Sequence, residues 1–140
     1  MRKHSIIRVY SDGGARGNPG PAAIGIVLCD KDDRPLQEYK EYIGNGTNNE
    51  AEYRALTKGL DLASARTSEE IEVVCDSELV VKQLLGAYRL KNQRMMDLNA
   101  QVRVRETRFR KVSYRHSPRM KGWLARADGL VNEALDEAGF

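Results

Sequence analysis

Cysteine is scarce in this chain: among 140 residues there are two, Cys29 and Cys75. Each sits inside an apolar stretch, AIGIVLCD and IEVVCD, with no metal-ligand spacing between them. That excludes a disulfide framework and predicts two buried, reduced thiols. Long apolar runs are missing too. None approaches the roughly 20 residues that a membrane-spanning helix needs, so no membrane association is expected. The opening, MRKHSIIRVYSDGG, is basic but has too short an apolar patch for a secretory signal, and a cytoplasmic protein is the expectation. Repeats, linkers and low-complexity tracts are absent, which leaves one domain over residues 1–140 and monomer as the default state.

What is present is an ordinary globular composition, 41% apolar and 31% charged. A domain of this length buries roughly two-thirds of the surface its unfolded chain exposes and needs no covalent staple. The net charge of +3 conceals an asymmetry, because residues 88–123 hold eleven Lys or Arg against two acidic residues and the remainder is net acidic. Such a block suits a phosphate backbone, and it equally suits a solvated helix face.

Residues 6–11 (IIRVYS) read as a strand, and after the loop DGGARGNPGP a second strand runs through AAIGIVLCD. Gly, Asn and Pro at 17–21 supply turn chemistry. A third strand near LQEYKEYIG completes a meander that ends in the Gly/Asn loop 44–49. From Asn48 to Ala65 apolar residues recur at helical spacing, with Asn48 or Asn49 as cap and the stripe 52, 56, 59, 63 facing the sheet. A strand at 71–75 followed by a helix opening at Ser77 marks a parallel crossover, with Gly86 ending that helix. A basic amphipathic helix over 91–108 carries Met95, Leu98 and Val102; the strand KVSYRH follows. The last helix buries Leu124, Ala127, Val131, Leu135 and Ala138. The fold class is α/β: a five-stranded mixed sheet with helices on both faces.

Four carboxylates stand where the local pattern asks for an apolar or neutral residue: Asp12, Glu52, Asp76 and Asp128. Taken singly, each has an ordinary explanation. Asp76 reads as a helix cap, Asp12 as an Asp-Gly turn, Glu52 as a charge near a helix N-terminus, and Asp128 as a solvent-touching edge position. Taken together they sit on elements that neighbour one another in the simplest right-handed assembly. Burying unpaired carboxylates costs several kcal/mol each, so four such sites point to a shared counter-charge, for which a pair of divalent cations is the simplest candidate. Hard oxygen ligands suit Mg²⁺ or Mn²⁺, and two such ions about 4 Å apart can activate water and stabilise the leaving oxygen of a phosphodiester.

The segments SDGGARGNPGPAAIG, GTNNEAEYRAL, CDSELV and ARADGLVNEAL, in this order, resemble type 1 ribonuclease H over nearly the whole chain. The resemblance implies the ribonuclease H-like fold and hydrolysis of the RNA strand of an RNA/DNA hybrid to 5′-phosphate and 3′-hydroxyl ends, with two Mg²⁺ or Mn²⁺ ions. It makes Asp12, Glu52, Asp76 and Asp128 the metal-binding catalytic residues. It makes Gly13, Asn18, Thr47, Asn48 and Asn49 the substrate contacts, in keeping with the wide, shallow minor groove of an A-like duplex; turn and cap roles are the alternative for the three Asn. Duplex RNA is a second candidate substrate, and a non-catalytic hybrid-binding module is the reading from another class.

The AEY context of Glu52 and the VNEALDEAG ending are similar to the compact, archaeal-like branch. The stretch 86–111 is too short for the basic substrate handle of better-known bacterial members, and Arg89, Lys91, Arg94, Arg103 and Arg105 are candidates to replace it. Glu78 stands where those members carry Gln, and Leu124 where the family commonly has Asn. Of His116, Arg119 and Lys121, the resemblance favours Arg119 as the basic group assisting catalysis, with His116 structural and Trp123 a packing anchor or a sugar-stacking surface.

Overall fold

The computed structural model describes residues 4–117 and 122–140. The elements are β1 (Ile6–Ala15), β2 (Gly20–Cys29), β3 (Pro35–Gly46), α1 (Asn48–Ser64), β4 (Glu70–Cys75), α2 (Glu78–Leu84), α3 (Gln93–Glu106), β5 (Lys111–His116) and α4 (Gly122–Glu137). The sheet order is β3-β2-β1-β4-β5, antiparallel across the first three strands and parallel from β1 through β4 to β5. This is the expected five-stranded mixed sheet. Among the described residues no helix is long and apolar enough to cross a membrane.

Period-two alternation assigns the two sheet faces. On β2, Ile24, Ile26 and Leu28 join Ile7 and Val9 of β1 in the larger core beneath α1 and α3, where Tyr53, Leu56, Leu60, Leu98 and Val102 meet them. The intervening residues Ala23, Val27 and Cys29 face the other way and are covered by Ala127, Leu130, Val131 and Leu135 of α4. A strand covered on both faces must be apolar at successive positions, which is why AAIGIVLC reads as an unbroken run. Gly25 is the gap in that run because α4 lies directly on it. A Cβ there would come within 2.2 Å of the Ala127 carbonyl oxygen.

Both cysteines are buried and unbridged, as expected. Element boundaries differ from expectation in informative ways. β1 continues through Asp12, Gly13, Gly14 and Ala15, which pair with Gly25, Ile24, Ala23 and Ala22. Backbone ladder bonds sustain this extension and need no apolar side chains. The parallel partner stops earlier, with Ser11 opposite Cys75 as the last pair. Asp12 therefore stands one residue beyond the parallel ladder yet inside an antiparallel hairpin, and it is no Asp-Gly turn. The turn itself is only Arg16–Pro19, closed by the Arg16 N–H donating to Pro21 O at 2.8 Å. β3 likewise runs on to Gly46.

The caps also shift. Thr47, rather than Asn48 or Asn49, is the N-cap of α1: its hydroxyl accepts from Glu50 N at 3.1 Å while Glu50 Oε1 accepts from Thr47 N at 2.9 Å. This reciprocal pair is a capping box. Ser77 caps α2, accepting from Val80 N at 3.2 Å, so Asp76 is released from that duty. Gly86, at φ 80°, follows the end of α2 as expected. Ala138 is exposed beyond the end of α4 and is no part of its buried stripe.

Candidate active site

Asp12 and Asp76 project from the point where the parallel β1–β4 ladder ends, Glu52 from the second turn of α1, and Asp128 from the middle of α4. All four line one open cleft of about 360 Å³. The carboxyl ends of parallel strands are where α/β sheets bind ligands. Contact between β1 and α1 brings Glu52 in: a Cβ on Gly13 would fall 2.3 Å from the backbone carbon and oxygen of Ala51, so only glycine permits this approach. The same contact lets the Gly13 N–H donate to Glu52 Oε1 at 2.8 Å, which orients the carboxylate.

Asp12 and Glu52 are buried, whereas Asp76 and Asp128 are half-buried. Burial is the main cause that raises the Asp12 carboxyl pKa far above the usual carboxylate range, followed by repulsion from Glu52 and hydrogen bonds to the Asp128 and Glu52 carboxyls. Burial also raises the Glu52 pKa, and the charges of Asp76 and Asp128 add to the rise; hydrogen bonds from Gly13 and Asp12 oppose it. A proton on Asp12 donated toward Glu52 satisfies both sets of causes. Like charges this close cannot all ionise without a counter-ion. The same cluster, with burial dominant, pushes the Cys75 thiol up to about 12, so it is inert as a nucleophile near neutrality.

Among the described residues, no three His, Cys, Asp or Glu side chains close around a common cation position. The donor chemistry nevertheless fits Mg²⁺ or Mn²⁺: among the described residues the cleft offers four carboxylates and no thiolate or imidazole.

The polar residues expected around the cleft form one connected loop system. Asn48 Oδ1 accepts from Ala15 N at 2.9 Å, and Asn18 Oδ1 accepts from Asn48 N at 3.0 Å. Their oxygens are thereby committed to the backbone, and both residues are exposed. Asn49 lines both this cleft and an adjoining groove, and Gly13 and Asn48 also border the cleft. Thr47 and Asn18 lie along the groove. Arg119 and Lys121 lie outside the described residues. His116 ends β5 with Nδ1 3.9 Å from Glu78 Oε2, and it does not line the carboxylate cleft. Leu124 is buried and borders a separate recess with Tyr10 and Trp123. Trp123 is a packing anchor: it sits against the core beneath α4, and its Nε1 donates to Asp33 O at 2.9 Å.

Two lining residues with polar side chains, Arg16 and Asn132, escaped the sequence reading. Asn132 stands one helical turn after Asp128 and therefore on the same face, a spacing that could have found it. Its Oδ1 accepts from Arg16 Nη2 at 3.2 Å, and Arg16 also pairs with Asp136 at 2.8 Å. The basic block is partly neutralised: Arg94 pairs with Glu50 at 2.8 Å, Arg103 with Glu106 at 3.1 Å and Arg105 with Asp61 at 2.9 Å.

Comparison with known proteins agrees with this architecture. Residues 10–133 match the model of a family described as reverse transcriptase-like. The ribonuclease HI of Halobacterium salinarum is 42% identical over 94% of the chain, which spans 65% of that relative. The crystal structure of ribonuclease H1 from that archaeon superposes with a TM-score of 0.89, covering 94% of this chain and 98% of the other. The N-terminal ribonuclease H domain of a bifunctional Mycobacterium tuberculosis protein is 40% identical, with a TM-score of 0.89 and 96% of each chain covered. This chain spans 35% of that whole protein. A ribonuclease H1 isolated from compost, solved in complex with an RNA/DNA hybrid, is 43% identical over 94% of this chain and 98% of its own, with a TM-score of 0.87. Sheet order, family match and identity together place the chain in the reverse transcriptase-like family, among the type 1 ribonucleases H.

Proposed function

We propose that this protein hydrolyses the RNA strand of RNA/DNA hybrids, leaving 5′-phosphate and 3′-hydroxyl ends, with Asp12, Glu52, Asp76 and Asp128 holding two divalent cations, Mg²⁺ or Mn²⁺. The observation that carries this reading is the convergence on one cleft of four carboxylates, from within β1, from the end of β4 and from two helices. When bound, such cations supply a water of lowered pKa and stabilise charge on the leaving oxygen. The chain's own contribution is positional. The Gly13 N–H fixes the orientation of Glu52, and cations held there would supply the counter-charge that burial and repulsion between Asp12 and Glu52 call for. The exposed amides of Asn18 and Asn48 suit 2′-hydroxyls and base edges across a wide minor groove, where shape is read rather than sequence. The relative solved with an RNA/DNA hybrid supports this substrate class.

The test uses labelled hybrid, duplex RNA, duplex DNA and single strands, each incubated with Mg²⁺, Mn²⁺ or chelator. Cleavage confined to the RNA strand of the hybrid, dependent on a divalent cation and lost in Asp12→Asn, is the expected result. Full activity of Asp12→Asn rejects the assignment. Cutting of duplex RNA would widen the substrate class, and tight hybrid binding without cleavage in any cation would convert the enzyme reading into a binding module.

A further inference from the structure

The interior between α1, α2 and α3 contains three polar side chains with no part in the proposed chemistry. Tyr53, Gln83 and Asn99 are 0%, 5% and 7% exposed. The Tyr53 hydroxyl donates to Gln83 Oε1 at 2.6 Å, Asn99 Nδ2 donates to the Tyr53 hydroxyl at 3.4 Å, and Gln83 Nε2 donates to the Arg89 carbonyl at 3.4 Å. A buried chain of hydrogen bonds thus runs from the residue after Glu52, through α2, to the backbone of the turn that follows α2. Ala87 N and Tyr88 N close that turn by donating to Lys82 O at 2.8 and 3.2 Å. Burying amides and a phenol costs stability that an apolar trio would not, and a fully satisfied network gives fixed geometry in return.

The turn so held carries charge without a partner. Arg94, Arg103, Arg105, Arg108 and Arg110 all pair with carboxylates. Among the described residues of the basic block, Arg89, Lys91, Lys111 and Arg115 pair with none, and all four are exposed. Lys111 opens β5, at the end of the strand remote from the carboxylates, and Arg115 lines a separate recess beside Trp123. Arg89 and Lys91 share the turn. Lys91 directly precedes Asn92, which lines the groove of about 600 Å³ that also contains Asn48 and Asn49 of the carboxylate cleft. Asn92 thus joins the turn to the groove along which a duplex seated in the cleft would extend.

We propose that Tyr53, Gln83 and Asn99 are positioning residues that lock the 86–92 turn to the helix bearing Glu52, so that Arg89 and Lys91 form a second anchor for the duplex backbone. This rests on the hydrolase reading above. The turn would do with two fixed cations what a longer basic insertion would do with many.

The test measures kcat and KM on a labelled RNA/DNA hybrid over a salt series, with melting curves, for the wild type, the Arg89→Ala/Lys91→Ala double variant, Tyr53→Phe and the control Lys111→Ala. The double variant should raise KM about fivefold at low salt, reduce the slope of log KM against log salt by about two, and leave kcat within about twofold. Tyr53→Phe should reproduce at least half of the slope change although it removes no charge, and Lys111→Ala should change nothing. An unaltered slope in the double variant overturns the anchor. A lowered melting midpoint in Tyr53→Phe with wild-type KM and slope overturns the positioning role. Should Tyr53→Phe fail to fold, Tyr53→Phe/Gln83→Leu/Asn99→Leu, which removes all three buried polar side chains together, is read in the same way. If the wild type cleaves no hybrid, the hydrolase reading fails, and fluorescence anisotropy of the same labelled hybrid still decides the anchor through its salt slope.

Discussion

Burial and repulsion within the Asp12–Glu52 pair make stability in chelator depend on pH in the direction opposite to that of ion-paired carboxylates. Burial and mutual repulsion raise both carboxyl pKa values, and the two residues are only 5% and 8% exposed. In the unfolded chain the same groups ionise near pH 4. Their stabilising contribution is therefore complete below about pH 4 and is lost as pH rises through the folded-state values. One proton retained only by the folded state corresponds to about 1.4 kcal/mol per pH unit, or at most about 4 kcal/mol between pH 5 and pH 8. Relaxation and water entry at an open cleft reduce this to about 2 kcal/mol. At about 3 °C per kcal/mol for a chain of this length, the midpoint should fall by about 6 °C over that range in the presence of chelator. Asp12→Asn puts an uncharged amide of the same shape in place of the protonated carboxyl and retains a donor for Glu52. It should match the wild type at pH 5 and exceed it by about 2 kcal/mol at pH 8. Scanning calorimetry of both proteins in chelator decides the matter. A wild-type midpoint that rises from pH 5 to pH 8, or an Asp12→Asn profile that tracks it within about 2 °C at every pH, refutes the reasoning.

Divalent cations should reverse that slope. Mg²⁺ at ten times its dissociation constant adds about 1.4 kcal/mol, and an unchanged melt at several millimolar Mg²⁺ contradicts a cation-ready cleft. Gly13→Ala drives a methyl into the Ala51 carbonyl, and about 3 kcal/mol should be lost together with hydrolysis; a wild-type melt would show that β1 and α1 can separate cheaply. Thr47→Ala removes the capping box of α1 and should cost about 1 kcal/mol in denaturant titration, with no loss expected if Asn48 can take over the cap.

Much of this was legible in the chain because apolar periodicity reports burial. The alternating and unbroken apolar runs of β1, β2 and β4 and the stripe of α1 mark the core directly. The four carboxylates were legible as violations of that periodicity. Backbone pairing without apolar side chains was not: Asp12–Ala15 looks like loop because nothing in its composition registers the ladder to Ala22–Gly25. The Thr47–Glu50 capping box has a local signature, and the neighbouring Asn48 and Asn49 masked it. Partners distant in sequence leave no trace in one sequence, so the pairing of Arg94 with Glu50 and the Tyr53–Gln83–Asn99 network became visible only in three dimensions. The first removes a charge that the basic block advertises, and the second holds the turn that keeps two of the rest.

The central claim is that Asp12, Glu52, Asp76 and Asp128 hold divalent cations at the point of chemistry. Anomalous diffraction at the manganese edge, from crystals soaked in Mn²⁺ with a bound hybrid, tests it most directly. The account predicts two anomalous peaks among these four carboxylates and beside a phosphate of the RNA strand. Peaks elsewhere, or none at a Mn²⁺ concentration that supports cleavage in solution, would contradict it.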